Sequence, residues 1–240
     1  MVSLITKHRP EDAAHITLRL RFEKRGSLAY ISHLDLFRTM TKALHRAAVP
    51  LYYSEGFSPH PKLVFATPLS LGQESVCEYL DVRLSEDVDP AATMAALNAT
   101  LPAGLSVTAA GYPALKLTAI ARSVFEITLV TAGADAALAE RCVALLRARP
   151  LTVFKRSKAG DRDIDISGSI LDVRGDYRDG AITLTVTLAA ENSAFLNPEY
   201  LVTVLRRDAG VLSTDPKSER CRIVRRMLTD ADGNPFTEEM

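Results

Sequence analysis

Cysteine is scarce. The three in 240 residues, Cys77, Cys142 and Cys221, are odd in number and widely spaced. That pattern fits neither a disulfide framework nor a metal knuckle, and it points to a reducing cytoplasm. Long apolar runs are missing too. No stretch approaches the roughly 18 apolar residues of a membrane span, and the opening M-V-S-L-I-T-K-H-R-P has no apolar core of signal-peptide length. A cytoplasmic protein with no membrane partner is the expectation. Neither charge dominates, since 29 Lys and Arg stand against 29 Asp and Glu, so any attraction to nucleic acid has to be local. Also absent are G-x-x-x-x-G-K, G-x-G-x-x-G, H-E-x-x-H and any close cysteine cluster. A self-sufficient nucleotide-hydrolysing or redox enzyme is thereby disfavoured, and neither cofactor nor metal is expected.

What is present is ordinary globular material, 47% hydrophobic and 24% charged, enough for two domains that each bury a core. Residues 1–14 read as a loose polar arm. From Ile16 the residues alternate, with Ile16, Leu18, Leu20 and Phe22 on one face and Thr17, Arg19 and Arg21 on the other, as in a half-buried strand. Ser32 then reads as an N-cap with Asp35 answering it, and Phe37, Met40, Leu44 and Ala47 recur at helical spacing. Asp35, Arg38, Lys42 and Arg46 are left toward solvent. Two strands follow, then a helix opened by Asp89-Pro90, then a strand at Leu105 to Ala109. The order is βαββαβ, the ferredoxin-like arrangement, with one sheet face under helices and the other open.

A boundary is expected at Tyr112-Pro113, giving domains 15–113 and 114–230. The second half repeats the order roughly: a strand around Phe125 to Leu129, a helix from Asp135 to Ala148, a strand at Leu151 to Lys155, a charged loop, and a hairpin turning at Tyr177 to Gly180. A helix opened by Asn197-Pro198-Glu199 and a strand at Arg220 to Leu228 complete it. The expected fold class is α+β, a tandem of two ferredoxin-like domains with antiparallel sheets, and residues 231–240 read as an unstructured polar tail.

Charge is the strongest local signal. Seven cations, Arg19, Arg21, Lys24, Arg25, Arg38, Lys42 and Arg46, face only Glu23 and Asp35 between Arg19 and Arg46. A later cluster holds Lys217, Arg220, Arg222, Arg225 and Arg226. On an open ferredoxin-like face, Arg19, Arg21, Tyr79 and Arg83 would point together, and guanidinium groups interleaved with an aromatic suit an RNA strand. The plainer reading is a solvated charged face. All five histidines lie in the first half. His33 falls in the first turn of its helix, where the dipole favours a neutral ring, and His60 sits between two prolines in S-P-H-P-K. They could form a general acid/base pair on an RNA phosphodiester, assisted by Lys62 or Tyr53, or serve as local hydrogen-bonding anchors. No third ligand at a characteristic spacing supports a metal. Glu78 shares a strand face with Val76, Leu80 and Val82, so its carboxylate needs a partner, most simply Lys62 or His60. Asp161, Asp163 and Asp165 read as a solvated charged loop.

The runs L-A-Y-I-S-H-L-D-L-F-R, K-A-L-H-R-A-A-V-P, Y-S-E-G-F-S-P-H-P-K, A-T-P-L-S-L-G and C-E-Y-L-D-V resemble the bacterial radical-SAM-linked proteins, a family of unknown function. The resemblance covers Arg19 to Leu84 and continues through K-R-S-K-A-G-D-R-D-I-D-I and N-P-E. It implies a radical S-adenosylmethionine partner that carries the iron-sulfur chemistry, because this chain lacks C-x-x-x-C-x-x-C. The family pattern falls on Ser32, His33, Asp35, Arg38, Ser54, Gly56, Phe57, Pro59, His60, Pro61 and Lys62, with Ser58 where relatives often have Asn. The tandem fold is also similar to that of CRISPR repeat-associated RNA-processing proteins. Together these give an RNA-binding accessory protein that presents tRNA or rRNA to a radical SAM partner. Its RNA or phosphate contacts would be Arg19, Arg21, Arg38, Lys42, Arg46, Tyr53, Ser54, Gly56, Phe57, Lys62, Arg83, Arg220 and Arg222, with His33 and His60 as candidate catalysts. The alternatives are a metal-independent endoribonuclease using that histidine pair, and a protein-binding adaptor.

Overall fold

The computed structural model describes residues 16–156, 160–191 and 195–237; the expected arm at 1–14 lies outside them. The first half runs β1 (Ile16–Lys24), α1 (His33–Arg46), β2 (Leu63–Phe65), β3 (Gln73–Leu84), α2 (Pro90–Asn98) and β4 (Leu105–Gly111). The second runs β5 (Arg122–Val130), α3 (Ala136–Arg147), β6 (Thr152–Lys155), β7 (Arg162–Asp165), β8 (Ile170–Arg178), β9 (Ala181–Ala189), α4 (Glu199–Val204) and β10 (Arg220–Thr229).

These elements form a mixed α+β molecule around a mostly antiparallel eight-stranded sheet, ordered β4-β1-β3-β10-β5-β9-β8, with β2 beside β3. The halves share this sheet. They join where Ile223–Arg225 of β10 runs parallel to Gln73–Ser75 of β3, while β2 pairs farther along the same edge of β3, at Leu80–Val82. The segment Leu151 to Lys155 does not enter the sheet. It pairs with β7 in a separate two-stranded ribbon, and the place expected for it goes to β8.

Local chemistry explains most element boundaries. The Ser32 hydroxyl accepts the Asp35 N–H at 3.1 Å and donates to the Asp35 carboxylate at 2.7 Å, so α1 opens on a closed cap. Asp89 caps α2 through the Ala91 N–H, and Asp135 caps α3 through the Leu138 N–H. Asp179 and Gly180, both at positive φ, form the two-residue β8–β9 turn, as a tight hairpin requires. The buried face of α1 is Leu36, Met40, Ala43 and Leu44, rotated from the expected stripe so that Phe37 is half-buried against Phe65.

Two cores lie under the helices. One gathers Leu18, Leu20, Phe22, Met40, Leu44, Leu80 and Val82; the other gathers Phe125, Ile127, Leu129, Cys142, Leu184, Val186 and Leu201. Between them lies a buried ionic cluster. Arg225, fully buried, donates to Glu78 at 2.7 Å, to Thr67 Oγ1 at 2.8 Å and to the Pro68 carbonyl at 2.5 Å, and its guanidinium sits 5.2 Å above the Phe125 ring. Glu78 is therefore paired from the other half, not by Lys62 or His60. Register decides this, because β10 docks against the start of β3 while Lys62 pairs near its end. Lys24 is buried beside the pair and donates to the Ala29 carbonyl; burial lowers its pKa, with Glu78 opposing that shift. Gln73 also donates to Asn197 across the junction, at 2.8 Å.

The helix-free face of the first half is not open. A third apolar cluster, Cys77, Tyr79, Ile120, Leu228 and Phe236, seals it. The seal comes from the segment between the halves and from residues after β10. Asp230 turns the chain by accepting the Asp232 and Asn234 N–H groups, Pro235 bridges back to Thr229, and the Phe236 N–H binds the Leu228 carbonyl. Residues 231–237 are thus built structure rather than a loose tail. Burial pushes the Cys77 thiol up to about 12, so it is an unreactive core group.

Candidate nucleic-acid interface

Sealing that face redistributes the arginines expected to share it. Arg19 is 1% exposed. It grips Asp81 through two bonds of 2.7 and 2.9 Å, donates to the Leu115 carbonyl at 2.9 Å and lies 5.5 Å from the centre of the Phe236 ring. It is a rivet, not a ligand contact. Tyr79 is likewise enclosed, its hydroxyl donating to the Phe236 carbonyl at 2.5 Å. Arg21 lies opposite Tyr79 on β3 and Ala109 on β4, with a buried Nε. Arg83 sits on the same face, opposite Thr17. In the second half Arg222 is held by Glu74 at 2.7 and 3.0 Å, and Arg220 is exposed at the start of β10.

The cations of α1 behave differently. Arg38, Lys42 and Arg46 recur every four residues and so share one exposed face, over about 12 Å of helix axis. Arg38 has only a 3.5 Å contact with Asp35 in an exposed pair, a geometry of little energetic consequence. Among the described residues, Lys42 and Arg46 have no hydrogen-bond or ion-pair partner. Their charge is available to a ligand.

This stripe leads to the loop Leu51 to Lys62 at the C-terminal end of α1. The Tyr53 hydroxyl meets His45 Nε2 at 3.0 Å, and Lys62 Nζ lies 5.2 Å from the centre of the Tyr52 ring. Tyr53 bridges to Pro61, the Ser54 N–H binds the His60 carbonyl, and the His60 N–H returns to Ser54 Oγ at 3.1 Å. The loop is pinched shut at Ser54 and His60. Gly56 has φ of +128°, with nothing near an added Cβ, so backbone conformation and not space requires glycine there. Beyond it Phe57 is wholly exposed, at 113%.

His33 and His60 are not brought together. The His33 ring packs edge-on against Phe65, centroids 5.0 Å apart, while the His60 ring is tied to Ser54 and the Ser58 carbonyl, with no contact between the two histidines. The loop meets the end of α1 rather than its start, and the start is already filled by the Asp35 carboxylate.

Sequence reasoning missed three groups here. Asp81 would have been found by pairing β1 with β3, since it falls directly opposite Arg19. His45 and Tyr52 gave no signal of their own, because each matters through a partner in the loop. A surface concavity of about 380 Å³ sits beside Arg174, Arg178, Thr183 and Thr185, but those arginines already hold Asp172 and Asp176. Among the described residues no three His, Cys, Asp or Glu side chains are placed to hold a metal, and no helix is long and apolar enough to cross a membrane.

Residues 17–198 match the family described as an uncharacterized protein conserved in bacteria, DUF2344. The chain belongs to that family. No curated protein matches it. Among solved structures it is similar to a chain in the crystal structure of a Cbf5-Nop10-Gar1 complex, at 10% identity and a TM-score of 0.47, covering 88% of this chain and 48% of that one. It thus spans about half of that relative. A second similarity, to an unknown protein from Galdieria sulphuraria, has 11% identity and a TM-score of 0.25, covering 87% of this family member and 97% of that chain. Scores this low bear on neither fold nor activity.

Proposed function

We propose that this protein is an RNA-binding accessory protein that presents tRNA or rRNA to a radical SAM partner for modification. The observation that carries the RNA part is the exposed stripe Arg38, Lys42 and Arg46, in which only Arg38 touches a carboxylate, running into a loop that offers Tyr52, Tyr53, Phe57, His60 and Lys62. Free cations attract phosphates, and nearby aromatic faces take unstacked bases. In a molecule with equal numbers of acidic and basic residues, such a surface arises only where cations are left without carboxylates. The partner part rests on the resemblance of A-Y-I-S-H-L-D-L-F-R and S-E-G-F-S-P-H-P-K to radical-SAM-linked proteins, together with the absence of a C-x-x-x-C-x-x-C cluster motif. Each half follows the order of a ferredoxin-like βαββαβ unit, the second carrying the β6–β7 ribbon as an insertion.

The endoribonuclease reading is the weaker one, because His33 packs on Phe65 while His60 is tied to Ser54, and no contact joins the two rings. Crosslinking in bacterial cells, followed by purification, sequencing of bound RNA and mass spectrometry of bound protein, tests the proposal. Enrichment of tRNA or rRNA together with a radical SAM protein supports it. Recovery of the protein without enriched RNA contradicts it.

A further inference from the structure

We propose that the Ser54 to His60 loop distinguishes RNA from DNA, with Phe57 stacking on an unpaired base and His60 Nε2 accepting a hydrogen bond from a ribose 2′-hydroxyl. This rests on the RNA-binding reading above and names what its loop recognises.

His60 Nδ1 lies 2.9 Å from Ser54 Oγ and 3.3 Å from the Ser58 carbonyl. We assign the proton to Nδ1, where it is donated to the Ser58 carbonyl, which only accepts. In the neutral ring Nε2 then holds the lone pair. The orientation is fixed: the His60 N–H binds Ser54 Oγ, the Ser54 N–H binds the His60 carbonyl, and Pro59 and Pro61 restrict the backbone on either side. His60 is exposed, and no hydrogen bond to its Nε2 is found among the described residues.

Phe57, three residues earlier, is carried past Gly56 into solvent with no covering side chain. A wholly exposed phenylalanine on a pinched loop is an apolar face without a partner, and a nucleobase fits it in area and in tolerance of sequence. Lys62 and the α1 stripe lie at the base of the same loop, where they would hold phosphates. An acceptor on the same short loop as a stacking ring suits the 2′-hydroxyl, which is present in RNA and absent from DNA.

The test measures binding of a short single-stranded RNA, the DNA of the same sequence, and the 2′-O-methyl RNA, which keeps bases and phosphates but cannot donate from that position. The wild-type chain is expected to prefer RNA by about 3- to 10-fold, the value of one hydrogen bond, and to bind the 2′-O-methyl form as weakly as DNA. His60→Ala should equalise RNA and DNA, whereas Phe57→Ala should weaken both by about 5-fold or more, as expected for loss of a stacked base. Equal wild-type affinity for all three overturns this inference while leaving the RNA-binding surface standing. Binding of none of them overturns both.

Discussion

The two halves of the sheet treat the same side in opposite ways. In the first half the helix-free face is closed by Phe236, Ile120 and their neighbours, and its arginine is locked onto Asp81. In the second half the equivalent face carries Thr128, Thr183, Thr185 and Thr187 with Arg174 and Asp172, and among the described residues no apolar cluster covers it. Most charges of the bare face are paired, Arg226 with Glu126, Arg222 with Glu74 and Arg174 with Asp172, while Arg220 is exposed at the start of β10. The lesson is that arginines on a strand mark a binding face only if both burial and pairing leave them free. Arg19, Arg222 and Arg226 fail that test, whereas Lys42 and Arg46 of α1 pass it.

The deepest break in this comparison is at the junction. Glu78→Gln leaves Arg225 and Lys24 buried without a carboxylate, and removing one partner of a buried pair costs about 3–5 kcal/mol. Urea unfolding should show that loss, and Glu78→Gln combined with Arg225→Met should recover part of it. Recovery of nothing in the double variant would mean the two side chains act independently. Next in size is the seal itself. Phe236→Ala should cost about 3 kcal/mol, as for a buried aromatic, whereas Thr185→Ala on the bare face should stay within about 0.5 kcal/mol. Similar losses for the two would contradict the difference between the faces.

A smaller effect distinguishes the ways in which the halves hold a carboxylate. Glu219 faces no cation. The Ala132 N–H and the Thr131 hydroxyl, followed by the Thr214 and Asp215 N–H groups, pull its pKa from 4.5 down to about 2. A depressed carboxylate contributes stability that is fully present above the unfolded value near 4.5 and disappears as pH falls toward about 2. Glu219→Gln should therefore narrow its stability gap to the wild type between pH 5 and 2, those endpoints being roughly the two pKa values. A constant gap over that window would contradict the role given to this group.

Much of the first half was legible because its signals are local. Ser32 with Asp35, and Asp89 with Pro90, announced their helices, and the alternation of Ile16 to Phe22 announced β1. What was hidden depends on distance along the chain. Nothing in D-A-D-G-N-P-F says that Phe236 will cover Tyr79, and nothing near Glu78 points to Arg225, 147 residues away. The strands read at Leu151 to Lys155 and after the α1 loop are there as β6 and β2, but β7 was read as a charged loop, because four residues rich in charge carry too little alternation to place. At the site, the free cations of α1 were readable from helical spacing, but which arginines were already paired was not.

The most direct measurement is the salt dependence of single-stranded RNA binding by the wild-type chain, by a triple variant R38Q/K42Q/R46Q, and by R174Q/R178Q on the bare face. Each phosphate neutralised on a single strand contributes about 0.7 to the slope of log affinity against log salt. The triple variant should lose about 2 from that slope and bind more weakly at low salt, while the bare-face variant should match the wild type. A triple variant with the wild-type slope and affinity would contradict the assignment of the interface to α1.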